Sequence, residues 1–223
     1  MAGIIFSRAD MTRVAVFMDY QNVYNGALDA FKLRGRGHMV GQVYPRRVGI
    51  LLTDRGRPAD PNRTLVSVRV YSGEPSPKHS PKGQAARQRQ VRYWSSQGLV
   101  TAVSRPLKYY SLGRDAFGKE LFDAREKGID VHLAVDMASG ALRNEFDVAV
   151  LFSVDTDLLP ALEAVRAAGK RCEVAAWKSP HAYSSRLQLP GLWCHWLDDK
   201  DYGRLWDPTD YTRHIKAAPT LDP

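Results

Sequence analysis

The sequence predicts an α/β fold with a central parallel sheet, and three observations carry that expectation. Short β-branched or apolar runs alternate with amphipathic helical stretches, the pattern of successive βαβ units. Two of the runs, Val14–Met18 and Val148–Phe152, are apolar throughout, as strands covered on both faces must be. With 223 residues and 44% hydrophobic content, the chain is large enough to bury one sizeable core.

Taken in order, residues 1–13 read as a lead, with Met11 an alternative start. Its apolar patch, Gly3–Phe6, is shorter than the roughly 7 residues of a signal-peptide core. Val14–Met18 is the first strand, with Asp19 just past its end, and Tyr20–Leu33 is a helix. Pro45 suits the first turn of a second helix running to about Leu52. Thr64–Ser72 is the second strand. The segment Gly73–Gly83, rich in Pro, Gly and Ser, reads as a basic loop. A helix over Gln84–Gln97 and a third strand over Leu99–Leu107 follow. Lys108–Glu126 reads as a β-hairpin or a loop, since KYYSL and KELFD flank the turn-like RDAFG. Asp130 opens a helix running to about Gly140. Asp147–Ser153 is the fourth strand, followed by Asp155, Thr156, Asp157 and a helix closing at Gly169. Arg171–Ala176 is the fifth strand. A short helix near Ser184–Leu189 and an edge strand over Leu192–Leu197 complete a domain spanning 14–206, and 207–223 read as a tail.

Charge divides the chain. Between Arg34 and Arg114 stand 16 basic and 3 acidic residues, whereas the remainder holds 16 basic and 21 acidic. A basic middle of this kind predicts a polyanionic partner. No apolar run approaches the roughly 20 residues that span a bilayer, so no membrane segment is expected. Cys172 and Cys194 form no C-x-x-C pair, which predicts buried thiols in a reducing, cytoplasmic setting rather than disulfides or structural zinc.

The acids carry the chemistry. Asp19 follows one doubly covered strand; Asp155 and Asp157 follow the other. In open parallel sheets, ligands sit at the carboxyl ends of strands where strand order reverses, so these acids can converge. Converged carboxylates repel one another unless a cation or shared proton relieves them, and Mg²⁺ or Mn²⁺ are the hard cations that oxygen ligands prefer. Asp130, at the head of its helix, is the favoured further ligand. Asp136 lies about 240° further round that helix and is kept as a residue beside the ligands. Each acid also has a plainer reading: Asp130 and Asp157 as helix caps, Asp136 as part of a solvated face. Asp19 is hardest to explain without a partner, because a carboxylate at the end of a buried strand is costly to leave unmatched. The six histidines are scattered without ligand spacing, and no metal role is expected for them.

VAVFMDYQNVYN (Val14–Asn25), KGIDVHLAVDM (Lys127–Met137) and the block from Phe146 to Trp177 resemble, in order, the three signature blocks of the NYN domain, a PIN-like ribonuclease fold. The resemblance runs from about Val14 to Leu197. It implies a Rossmann-like three-layer α/β fold whose central, mainly parallel sheet has strand order 3-2-1-4-5, placing Asp19 and Asp155 side by side. It also implies that Asp19, Asp130, Asp155 and Asp157 are the catalytic, metal-holding acids, with Asn22 and Ser153 beside them. The third block commonly reads S-G-D-S-D; here Val154 and Thr156 replace the glycine and the serine, which leaves the carboxylates in place and stiffens the loop.

Other chemistries fail on the same residues. A haloacid-type phosphatase needs an Asp at position 21, which is Gln; a Toprim site needs a Glu after the first strand. A dinucleotide site needs G-x-G-x-x-G there, and no P-loop is present. The expectation is a metal-dependent ribonuclease that hydrolyses phosphodiester bonds with Mg²⁺ or Mn²⁺. The alternatives are a non-catalytic RNA-binding module of the same fold or a structure-specific DNA nuclease. Lys78, Lys82, Arg87, Arg89, Arg92 and Lys108 are the candidate RNA-binding residues, with a solvated helix face as the plainer reading of the arginines. Tyr93 and Trp94 read as core more than as base stackers. A homodimer is compatible with the sequence, since two-fold assemblies are common.

Overall fold

The structure, a computed structural model, describes residues 11–181 and 184–213. Most of the expected lead, His214 and the end of the expected tail lie outside the described residues.

Six parallel strands form the sheet, in the order β3-β2-β1-β6-β7-β8: β1 (Thr12–Asp19), β2 (Arg63–Glu74), β3 (Val100–Pro106), β6 (Val148–Phe152), β7 (Arg171–Trp177) and β8 (Trp193–Leu197). The expected five-strand order is present and differs in detail, because β8 extends the sheet at the β7 edge. The hairpin strands β4 (Lys108–Arg114) and β5 (Glu120–Arg125) pair with each other outside it.

β1 shows why two layers of helix are needed. Val14 to Met18 are each fully buried, and alternate side chains enter different cores. Val14, Val16 and Met18 face helices α1 (Tyr20–Ala30), α2 (Pro45–Gly56) and α3 (Pro81–Ser96), together with Leu205 of α6 (Asp199–Leu205). Ala15 and Phe17 face α4 (Ile129–Leu142) and α5 (Leu159–Ala167). Prolines at the first turns of α2, α3 and α5 sit where their missing N–H groups leave no helical bond unmade.

Three expectations are corrected. Residues 184–189 form no helix. Helix α6 was not expected; Asp198 caps it and Asp201 reaches back to the cap, a reciprocal arrangement that fixes its start. The tail expected from 207 packs onto the domain through at least Tyr211: Asp207 is fully buried, Tyr211 enters the first core, and the Tyr211 hydroxyl donates to Asp207 at 2.6 Å.

Beneath the sheet, Arg63 makes a two-pronged ion pair with Glu173 at 2.8 and 2.7 Å, and His195 lies 2.8 Å from the same carboxylate. All three residues are buried, so the Arg63–Glu173 ion pair is taken out of water as a unit.

Candidate active site

Chain order places the switch point between β1 and β6, because the chain runs outward to β2 and β3 from one and to β7 and β8 from the other. Asp19 ends β1 and caps α1, its Oδ1 accepting the Asn22 N–H at 3.1 Å. Its Oδ2 accepts the Ser153 hydroxyl at 3.3 Å. The Asp155 N–H donates to Ser153 Oγ at 3.1 Å, and the Val154 N–H donates to Asn22 Oδ1 at 3.1 Å. The turn after β6 is thereby laced to the end of β1, with Asn22 and Ser153 as the lacing residues.

A cleft of about 600 Å³ opens at this point. Asp19, Asp155, Asp130 and Glu126 all line it. Asp130 comes from the first turn of α4, whose cap, Gly128, has φ 73°, a left-handed conformation in which glycine is unstrained. Glu126 follows directly on the hairpin and accepts the Gly73 N–H. The hairpin therefore carries an acid to the cleft. Sequence reasoning missed it; the available signal was an acid immediately before the K-G-I-D block.

Electrostatics reflect the crowding. Burial pushes the Asp19 carboxyl above its usual range; the bonds from Asn22 and Ser153 oppose this, and the charges of Asp155 and Asp130 add to it. Burial likewise raises Glu126, opposed by the Gly73 bond and reinforced by the charge of Asp19. None of the four acids has a basic side chain within ion-pair distance among the described residues. By contrast, Asp29 on the cleft wall is neutralised by Arg34, whose Nη2 lies 2.7 Å away.

The carboxylate and amide oxygens of the cleft fit a divalent cation by type; Lys127 also lines the cleft, but it makes no ion pair with these acids among the described residues. Their present spacing is wider than coordination requires: among the described residues, no three His, Cys, Asp or Glu side chains stand close enough to hold a metal between them.

Other expected site residues stand elsewhere. Asp157 is exposed and does not line the cleft; its N–H donates to Asp155 Oδ1 at 3.0 Å, so it completes the cap of a short 3-10 turn, Thr156–Leu158. Asp136 accepts the Tyr71 hydroxyl at 2.9 Å and lies 3.8 Å from His132, rather than beside the cleft acids. Arg87 is buried, its guanidinium bonded to Gln90 and Ser72, and so is not a surface charge for the phosphate backbone. Arg89 binds the carbonyls of Tyr211 (2.7 Å) and Thr212 (3.1 Å), which pins residues 211–212 to α3. Lys78, Lys82, Arg92 and Lys108 are exposed. Tyr93 and Trp94 are buried in the core.

The doubly covered parallel sheet is a fold shared with known proteins. The NYN domain family model matches residues 13–188, and the chain belongs to the NYN family, with its PIN-like nuclease fold and nucleic-acid substrates. None of the curated proteins compared with it matches. Among solved structures, the chain is similar to a protein of unknown function from Vibrio parahaemolyticus, at 17% identity over 88% of this chain and 98% of that one, with a TM-score of 0.52. At that identity the likeness concerns the fold. A ketoreductase domain from the bacillaene assembly line aligns over 78% of this chain and 53% of that one at 12% identity; its TM-score of 0.20 carries no argument. Among the described residues, no helix is long and apolar enough to cross a membrane.

Proposed function

We propose that this protein is a metal-dependent ribonuclease whose cleft hydrolyses RNA phosphodiester bonds. The observation that carries this reading is the ring of Asp19, Glu126, Asp130 and Asp155 around one cleft, none of them in an ion pair among the described residues. Four carboxylates gathered at a switch point without an ion pair among the described residues are costly for stability alone and are accounted for by a bound cation.

Asp19, Asp130 and Asp155 are the residues to hold Mg²⁺ or Mn²⁺, with Glu126 completing the ring. Such a cation would offset the charge of the phosphate and lower the pKa of an attacking water. The chain's own residues position these groups. Ser153 and Asn22 orient Asp19 and keep the Val154–Asp155 turn against it, and Glu126, joined to Gly73, holds the hairpin end at the cleft. Exposed Lys78, Lys82, Arg92 and Lys108 supply sequence-independent contacts to the phosphate backbone.

The wide spacing of the acids favours one rival, a binding module that keeps the fold without cutting. The two separate in one assay: labelled RNA incubated with Mn²⁺, Mg²⁺ or EDTA. Metal-dependent cleavage is expected, whereas binding without cleavage favours the module. A duplex and a flapped DNA in parallel lanes test the DNA-nuclease alternative.

A further inference from the structure

Beside the acidic cleft lies a second cavity, of about 320 Å³, that the proposed reaction does not use. The two share Gln21 and Glu126 as lining residues, so they adjoin along the carboxyl edge of the sheet. The walls of the second are largely apolar or aromatic, with Tyr20, Tyr24, Leu107 and Tyr211 among them.

Arg87 also lies on this wall. It is 9% exposed, its guanidinium lies 5.1 Å from the Tyr20 ring and 4.9 Å from the Trp94 ring, and no carboxylate is within ion-pair distance of it among the described residues. Its bonds go to neutral acceptors, Gln90 Oε1 at 2.5 Å and Ser72 Oγ, and its Nε has no partner. The charges of Glu126 and Glu74 reach this guanidinium only at longer range, so its burial is offset mainly by the two rings and its neutral acceptors, and a further electron-rich partner in the cavity would stabilise it. The Gln90 side chain continues the polar floor, donating to Gln42 Oε1 at 2.9 Å and to the Tyr20 hydroxyl at 3.2 Å.

We propose that this cavity receives one nucleobase of the RNA strand, at a nucleotide next to the bond cut in the acidic cleft. The inference rests on the ribonuclease reading for its placement. A flat ring suits aromatic walls, on which bases stack with little regard to sequence. The Arg87 guanidinium on the wall adds discrimination, because guanine (O6 and N7) and the pyrimidine carbonyls present acceptors to a guanidinium, while adenine presents a donor beside its N7. A free phosphate is disfavoured by the largely apolar lining. The cavity therefore makes cleavage selective for the base at one position beside the cut.

The test uses the full chain in EDTA, titrated with each of the four nucleoside 5′-monophosphates and, separately, with inorganic phosphate, by calorimetry. Ala86 and Tyr24 both line the cavity and neither belongs to the acidic ring, so Ala86→Phe fills it and Tyr24→Ala removes a wall. Binding of GMP or UMP in preference to AMP is expected, weakened about tenfold or more by either variant with melting temperature retained. No mononucleotide binding, equal binding by Ala86→Phe, or inorganic phosphate competing as well as the nucleotide would each overturn the proposal. Mapping cut sites on a mixed-sequence RNA with Mn²⁺ separates the two claims. Cleavage without base preference beside the cut defeats the cavity assignment alone; mononucleotide binding without any cleavage defeats the nuclease reading and leaves the base site standing.

Discussion

Ser153, at the end of the fourth parallel strand, donates its hydroxyl to Asp19 at the end of the first, across 3.3 Å. The same oxygen accepts the Asp155 N–H, so one serine fixes the relative positions of two cleft acids that are 136 residues apart in sequence. Ser153→Ala is expected to lower cleavage about tenfold by loosening both, with the fold intact by circular dichroism. Unchanged kcat would show that the two acids do not depend on it.

Asn22→Ala removes the acceptor for the Val154 N–H. An unsatisfied backbone donor costs about 1–3 kcal/mol if water cannot replace the lost bond. Urea denaturation is expected to show a loss in that range, accompanied by weaker cleavage because the turn bearing Asp155 is no longer tied to α1.

Asp19→Asn is expected to separate stability from activity. The native carboxyl titrates above its usual range because burial disfavours its charge, so this group favours the folded state at low pH and that contribution is lost as pH rises through the folded value. Asparagine keeps one oxygen acceptor for the Asn22 N–H and removes the charge, while losing the bond from Ser153, whose acceptor Oδ2 becomes an amide NH2. The variant should therefore melt at or above the wild-type temperature at neutral pH in EDTA, the difference shrinking toward pH 4, while cleavage falls by at least about 100-fold.

Gly73→Ala tests how the hairpin brings Glu126 to the cleft. A Cβ at this position would stand 2.9 Å from the Glu126 side chain and press into Leu107, so either the hairpin or Glu126 must shift. A stability loss of about 1–3 kcal/mol and reduced cleavage are expected, measured together by thermal melting and RNA turnover.

Acid sensitivity should come from groups remote from the cleft. Hydrogen bonding from Arg13 holds Asp147 down to about 2, and its stabilising contribution is present above the ordinary aspartate range and lost as pH falls toward that value. Burial pushes Glu173 up, but the bonds from His195 and Arg63 outweigh it and leave the carboxyl below its usual range, with the same sign of pH dependence. Glu173→Gln breaks a buried ion pair, and a loss of about 3–5 kcal/mol is expected by urea denaturation at pH 7, falling off in acid.

The legible parts of the molecule were those set by local pattern. Val14–Met18 and Val148–Phe152 announce central strands because both faces are apolar, and the acids after them mark the switch point. Which residues enter the cleft depends on tertiary geometry that spacing does not carry. Asp157 follows Asp155 by two positions, yet the 3-10 turn directs it to solvent. Arg87 reads as a surface cation by residue type; the signal to the contrary is Trp94, seven positions on and thus on the same helical face, which turns inward. Glu126 arrives on a hairpin docked through long-range contacts, among them its own bond to Gly73 and the packing of Tyr109 and Phe122 on His79, and a single sequence offers no sign of those pairings.

RNA cleavage by purified wild-type and Asp19→Asn protein, each with Mn²⁺ and with EDTA, tests the central claim most directly. The account expects cleavage by the wild-type protein with Mn²⁺, and at most about a hundredth of that rate in the other three reactions. Equal metal-dependent cleavage by Asp19→Asn would contradict it.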